Sequence, residues 1–239
     1  MNKLIILTYH NIVDKNKKLF LYDVNLQRFQ AQMKQVSLLT HARIRPFDLM
    51  VTFDDGYSVW AREILDILNQ YDLKAYFFIC VKFLQQGKIY REDILKLRKA
   101  GMTIGSHSMT HRFMHTLPEN EVFYEMHESK RILQDILQDE VKIFALPYGA
   151  GTPLILRVAK QTGYEHVFTS QVGVNDSLDF TLKRIALKRN TSIEKFKEIT
   201  LGKGIRGLVV NQKTREFVKK IVGAERFYRM RNKMVRNAE

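Results

Sequence analysis

The chain has 239 residues, of which 45% are hydrophobic and one is cysteine, and it carries a net charge of +14. That length and apolar content suffice for one core of the size an α/β barrel buries as a single domain. Cys80 alone leaves no partner for an intrachain disulfide, and no apolar run reaches the roughly 18 residues of a membrane-spanning helix. The charge is uneven: from Lys183 onward lie 17 of the 39 Lys and Arg but 5 of the 25 Asp and Glu, so this last quarter carries +12 of the +14. A near-neutral body with a basic end suits an anionic contact, and a solvated basic face is the plainer alternative.

Along the chain, apolar strand-like runs alternate with helical patterns. Strands are expected at Leu4–Tyr9, Leu49–Phe53, Lys74–Ile79, Met102–Ser106, Lys142–Leu146 and His166–Thr169, with a weaker one at Leu182–Leu187. Helices are expected near Tyr57–Tyr71, Arg91–Ala100, Glu119–Gln138 and Pro153–Thr162, the third opening with Pro118 and an acidic first turn. This βα rhythm argues for parallel strands. The expected fold is α/β, a distorted (β/α) barrel of about seven strands over residues 1–205, followed by a basic helical extension over 206–239. The first segment, Met1 to His10, has one basic residue and an apolar stretch too short for a signal peptide, so a cytoplasmic location is expected. Cys80 lies in an apolar strand context and reads as a buried, unreactive thiol.

The chemistry gathers at Asp54–Asp55, which ends the run Leu49–Phe53 just before Gly56. Strand ends are where α/β enzymes place reactive groups. Two strands later come His107 and His111, a spacing of four that brings two imidazoles to one side when the segment turns helically. Zinc takes two imidazoles and a carboxylate as three protein ligands and keeps an open position. Asp55, His107 and His111 supply that set, and Asp54 is left free to act as a base. Cobalt or nickel suits the same donors.

These residues resemble the polysaccharide deacetylases with a NodB-homology domain, carbohydrate esterase family four, over roughly residues 4 to 205. The family's T-F-D-D-G stands at Thr52–Gly56 and its H-[ST]-x-x-H at His107–His111. Its R-x-P-[YF]-G aligns with Ala145–Gly149, so Pro147, Tyr148 and Gly149 remain while Ala145 replaces the arginine that orients the catalytic aspartate. Its D-x-x-D-W has an echo in Asp176–Phe180, which also reads as a polar loop before a strand. Its L-x-H histidine has no counterpart in Leu182–Lys188.

The resemblance implies metal-dependent hydrolysis of an N-acetyl group on an amino sugar. Asp54 would take the proton from the attacking water, and the Tyr148 backbone N–H would join the metal in stabilising the oxyanion. His10, ending the first expected strand, is favoured as the acid for the leaving amine, with a packing histidine as the alternative. Arg184, also near a strand end, is a candidate for the missing arginine's place, with a structural ion pair preferred.

Gly202–Gly207 fits G-x-G-x-x-G but follows a helical stretch, against a dinucleotide site. His41, His115, His127 and His166 have no ligand-like neighbours in sequence. From Thr214 to Asn237, Phe217, Ile221, Phe227, Met230 and Met234 recur near helical spacing among Lys and Arg. Such a helix could lie on an anionic membrane or pack on the barrel; nucleic acid is the weaker option because no aromatic-studded binding motif accompanies the charge. Two function classes follow: a deacetylase acting on N-acetylated carbohydrate, or a carbohydrate-binding or partner-binding protein that keeps the metal site with little turnover.

Overall fold

Apolar runs of five to seven residues with alternating neighbours dictate where this chain extends. The computed structural model describes residues 3–13, 20–42, 46–149 and 151–222. Its strands in chain order are β1 (Lys3–Tyr9), β2 (Ile12–Val13), β3 (Val24–Asn25), β4 (Phe47–Phe53), β5 (Ala75–Ile79), β6 (Thr103–Ser106), β7 (Ile143–Ala145), β8 (His166–Phe168), β9 (Thr181–Leu182) and β10 (Ile185–Ala186). Eight of them form one sheet in the order β10-β1-β4-β5-β6-β7-β8-β9, and all its pairings are parallel. Only Lys183 and Arg184 separate the two edge strands in sequence, so the sheet must curl until its edges meet. The result is the expected distorted barrel.

The stretch Leu182–Leu187, expected as one strand, is two. Leu182 pairs with β8 and Ile185–Ala186 with β1, so the chain steps from one edge to the other and the break falls at Lys183–Arg184. The other six strands appear where the apolar runs predict them.

Alternation along each strand sorts side chains between two layers. Leu4, Ile6, Met50, Phe78, Ile143, Ala145, Phe168 and Leu182 form a small cluster inside the barrel. Their neighbours Ile5, Leu7, Tyr9, Val51, Phe53, Phe77 and Phe144 face outward into the larger core shared with the helices. Gly105 faces the interior, where a Cβ would stand 2.6 Å from the Phe78 ring and 2.7 Å from Ile143. Only a residue without a side chain fits between those two neighbours.

The helices are α1 (Leu26–Thr40), α2 (Leu65–Gln70, entered through a π-type turn at Trp60–Ile64), α3 (Val81–Gln85), α4 (Arg91–Lys99), α5 (Glu119–Leu137), α6 (Pro153–Gln161), α7 (Ile193–Thr200) and α8 (Ile205–Val222). The sequence reading missed α1, which Asn25 caps by accepting the N–H groups of Gln27 and Arg28 and which buries Phe29, Met33 and Val36. The expected boundary at residue 206 falls inside α8. Ile205 is buried, Leu208 and Val209 pack against the core, and Gln212 bonds the backbone of Ser170 and Val172. Residues 223–239 lie outside the described residues, and with them Phe227, Met230 and Met234.

Candidate metal centre and active site

The inward parity of the barrel strands continues one step past their C-terminal ends and selects the site. Two residues beyond Thr8 comes His10, beyond Thr52 comes Asp54, beyond Gly105 comes His107, and beyond Leu182 comes Arg184. Register places Thr8 beside Thr52, and the Asp54 N–H donates to the Tyr9 carbonyl at 2.9 Å. Asp55 would point outward by alternation, but its φ of 92°, followed by 121° at Gly56, turns the backbone at the barrel mouth. The Asp55 carbonyl then accepts the Cys80 N–H at 2.8 Å.

Asp55 Oδ1 lies 3.2 Å from His111 Nε2 and 3.5 Å from His107 Nε2. Ligands about 2.0–2.1 Å from a tetrahedral zinc stand roughly 3.3 Å apart, so this spacing fits an ion between them. Oδ1 is buried without a hydrogen-bond partner, as a ligand atom would be if its metal were removed. His107 is buried, and its Nδ1–H donates to the Ala145 carbonyl at 2.8 Å, which turns Nε2, the nitrogen that a metal would take, toward the site. Asp55, His107 and His111 are the one cluster of three or more such donors among the described residues. Burial opposes charge on Asp55, but the imidazoles of His107 and His111 outweigh it and hold its carboxyl well below the usual range. His107 is likewise lowered by burial and raised more strongly by Asp54 and Asp55. A cation would replace the protons that this arrangement attracts.

Asp54 and Arg184 form a buried pair. Arg184 Nη1 donates to Oδ1 at 2.7 Å and Nη2 to Oδ2 at 2.8 Å, while its Nε donates to the Thr169 carbonyl at 2.9 Å. The residues are 3% and 2% exposed. Burial alone would raise the Asp54 carboxyl, but the guanidinium and the charge on His107 more than offset it, and the group sits below its ordinary value. A structural ion pair is the preferred sequence reading of Arg184, but its partner is Asp54, the aspartate that the missing arginine would orient, so the geometry fits the alternative reading instead. Where Ala145 at the end of β7 offers no guanidinium, the planar fork reaches Asp54 from the turn between β9 and β10, at the seam of the barrel.

The turn bearing His111 adopts left-handed backbone at two non-glycine residues, Ser108 (φ 69°) and His111 (φ 60°), each costing about 1–2 kcal/mol. Hydrogen bonds offset that cost: Ser108 Oγ accepts the His111 N–H at 3.1 Å, and Ser106 Oγ accepts the Ser108 N–H at 3.2 Å.

His10 reaches the same mouth, where it feels the charges of Asp55, Asp54, Arg184 and His107. Its ring stacks on Tyr22 at 4.9 Å, its carbonyl accepts the Trp60 indole N–H at 3.2 Å, and its Nδ1 is buried without a partner. Burial lowers its pKa more than the two aspartates raise it. Tyr148 follows β7 with φ 58° and Gly149 with φ 68°, a tight turn that brings the phenol ring to 4.9 Å from His111. That ring is 45% exposed and stacks on Phe113 at 3.7 Å. The Phe113 ledge was not among the expected site residues.

The remaining candidates separate from the site. Asp176 pairs with Lys3 and the Asp179 backbone with His166, so the Asp176–Phe180 echo is a surface loop. Gly202 and Gly204 take positive φ in the turn between two helices, away from any strand-to-helix phosphate loop. His41 pairs with Asp72, and His127 with Glu128.

The polysaccharide deacetylase family profile matches residues 44–167. A putative polysaccharide deacetylase of Bacillus subtilis, YxkH, is 27% identical over 208 residues, covering 80% of this chain and 73% of the relative. A peptidoglycan-N-acetylglucosamine deacetylase of Bacillus cereus is 35% identical over 103 residues, 42% of this chain but 36% of its own length. Among solved structures, the Streptococcus pyogenes deacetylase PplD in complex with acetate superposes with a TM-score of 0.71 at 22% identity, over 83% of this chain and 98% of that one. IcaB of Ammonifex degensii superposes with a TM-score of 0.69 at 21% identity, over 84% and 96% of the two chains. At those identities the superpositions establish the barrel alone. The matched span runs from β4 to β8 and carries Asp54, Asp55, His107, His111 and the Pro147–Gly149 turn, while His10 and Arg184 complete the mouth from outside it. With that profile spanning more than half of its length, the chain belongs to the polysaccharide deacetylase family.

Proposed function

We propose that the protein is a metal-dependent hydrolase that removes the N-acetyl group from an N-acetyl amino sugar in a polysaccharide, oligosaccharide or glycan precursor. The observation that carries this reading is the convergence of Asp55, His107 and His111 at ligand spacing beside an aspartate locked by a bidentate arginine. Asp55, His107 and His111 would hold one divalent ion, zinc by preference, with cobalt or nickel able to occupy the same donors. When bound, the ion supplies Lewis-acid polarisation of the acetyl carbonyl and lowers the pKa of a coordinated water toward about 7. Asp54 takes up the proton released by the attacking water; Arg184 fixes both carboxylate oxygens and keeps the base ionised. The Tyr148 N–H, in its left-handed turn, is the oxyanion donor. His10, which burial favours in its neutral form, takes up the proton that the attacking water releases by way of Asp54 and passes it to the departing amine as the carbon–nitrogen bond breaks, leaving acetate and the free amino sugar. The exposed Tyr148–Phe113 stack beside His111 offers a flat apolar face against which a sugar ring can lie.

Acetate release from N-acetylated saccharide fragments, with and without added zinc, tests the reading. Zinc-stimulated release is the expected result. Saccharide binding with no release at any metal level would favour the binding-protein alternative.

We infer further that the basic end meets an anionic bilayer from the cytoplasmic side. Val210 and Phe217 are 60% and 64% exposed and lie seven residues apart on α8, with Arg206 and Lys213 beside them on the helix surface. Among the described residues no helix is long and apolar enough to cross a membrane, so the contact would be peripheral.

A further inference from the structure

Helix α5 contributes a carboxylate that the chemistry above leaves unused. Glu125 is fully buried, yet three donors converge on it. Its Oε2 accepts the Thr110 N–H at 2.8 Å, and its Oε1 accepts both the Thr110 hydroxyl and the Arg112 Nε at 3.2 Å. Its main-chain carbonyl accepts the Met109 N–H at 3.2 Å. One residue thus fastens Met109, Thr110 and Arg112, the positions flanking His111. The same helix reaches the base of the turn through Ser129, whose hydroxyl meets Ser106 Oγ at 2.7 Å.

The two histidines differ in how they are held. His107 is aimed by its own ring, through Nδ1 to Ala145. The His111 side chain is 20% exposed and packs edgewise and face-on among the rings of His107, Tyr148 and Phe83, so the direction of its Nε2 depends on where the backbone turn sets its Cα. That turn holds two left-handed residues and would relax without its anchors.

We propose that Glu125 is a positioning residue for His111 and sets the affinity of the metal centre by clamping the Ser108–Arg112 turn to helix α5. The inference rests on the reading of Asp55, His107 and His111 as that centre. Glutamate is required because both oxygens must accept; a glutamine would aim an NH2 donor at the Thr110 N–H or at the Thr110 hydroxyl and Arg112.

The test is zinc competition titration of the dialysed full chain against a chromophoric chelator, with the visible spectrum of the cobalt-substituted protein as a readout of ligand geometry. Glu125→Gln should weaken zinc binding about ten- to a hundredfold and alter the cobalt bands, while far-ultraviolet dichroism stays that of the parent. Thr110→Val, which removes one of the clamped groups, should weaken binding severalfold. Glu121→Gln, which touches only the exposed end of Arg112, should leave affinity and spectrum unchanged. Parent affinity and parent cobalt bands in folded Glu125→Gln overturn the proposal. If that variant does not fold, parent behaviour in Thr110→Val overturns it equally. Equal loss in Glu121→Gln overturns it by showing that any change near Arg112 suffices. A parent chain that binds no zinc overturns the metal centre itself and the clamp with it.

Discussion

Replacing Arg184 with methionine removes the guanidinium and keeps a side chain of similar length. The Asp54 carboxylate would then be left 3% exposed with no donor fork. Two unit charges about 4 Å apart attract by about 4 kcal/mol at an effective dielectric constant of 20. Breaking a buried pair from one side costs about 3–5 kcal/mol, because the remaining charge stays desolvated. For a domain of this size that corresponds to a fall of roughly 6–20 °C in melting temperature. The assay is urea unfolding at pH 7 of parent, Arg184→Met, Asp54→Asn and the double variant, each zinc-loaded and metal-free. Asp54→Asn/Arg184→Met should recover most of the loss, since neither charge remains to be buried. Zinc stoichiometry of Arg184→Met should stay at one, because Arg184 touches Asp54 and leaves Asp55 alone, while turnover falls at least about tenfold as the base loses its orientation. A single variant within about 1 kcal/mol of the parent, or a double variant no more stable than the single, would refute the argument that this pair is held by charge.

Asp54→Asn should retain zinc and the fold while lowering acetate release by about a hundredfold or more; parent-like release would make Asp54 structural. His107→Ala should abolish stoichiometric zinc binding in equilibrium dialysis, and full retention would remove His107 from the centre. Burial pushes the Cys80 thiol up to about 11, against an unfolded value near 8.5. A raised acid contributes stability that is present below the unfolded value and lost as pH climbs toward the folded one. Between pH 8 and pH 10.5 the parent should therefore lose about 2 kcal/mol relative to Cys80→Ala in urea unfolding, and an unchanged difference would refute the burial effect. The full chain should sediment with anionic and not neutral vesicles, less so as salt rises, and removal of residues 213–239 should end this without loss of zinc. Equal sedimentation of the truncated chain would refute the membrane contact.

Six of the barrel strands were legible because each is a dense apolar run, and burial on both faces of a parallel sheet demands that composition. The Asp55, His107 and His111 cluster was legible because its donors fall at strand ends with fixed local spacing. Helix α1 was missed although its signal was present: Phe29, Met33 and Val36 recur at helical spacing behind Asn25, but intervening Gln and Lys dilute the stripe. The split of Leu182–Leu187 had no local signal. Its halves pair with strands at opposite edges, and closure of a sheet is a property of the whole chain.

Arg184 and Glu125 were both visible as anomalies. Inward alternation from Leu182 makes Arg184 a cation aimed into an apolar barrel, and helical spacing places Glu125 with Val122, Met126, Ser129 and Leu133 on the buried face of α5. What the sequence withholds is the partner, since the Arg184–Asp54 contact spans 130 residues and depends on two strand registers at once. The anomalies themselves are informative. A charged side chain at a position that periodicity reserves for an apolar one carries a desolvation cost that a folded chain must offset locally. In this barrel both such costs are offset at the site, one by the proposed base and the other by the turn that carries a proposed metal ligand. A buried charge that breaks the pattern is thus the best guide to what lies around a motif when the motif's own partners have been replaced.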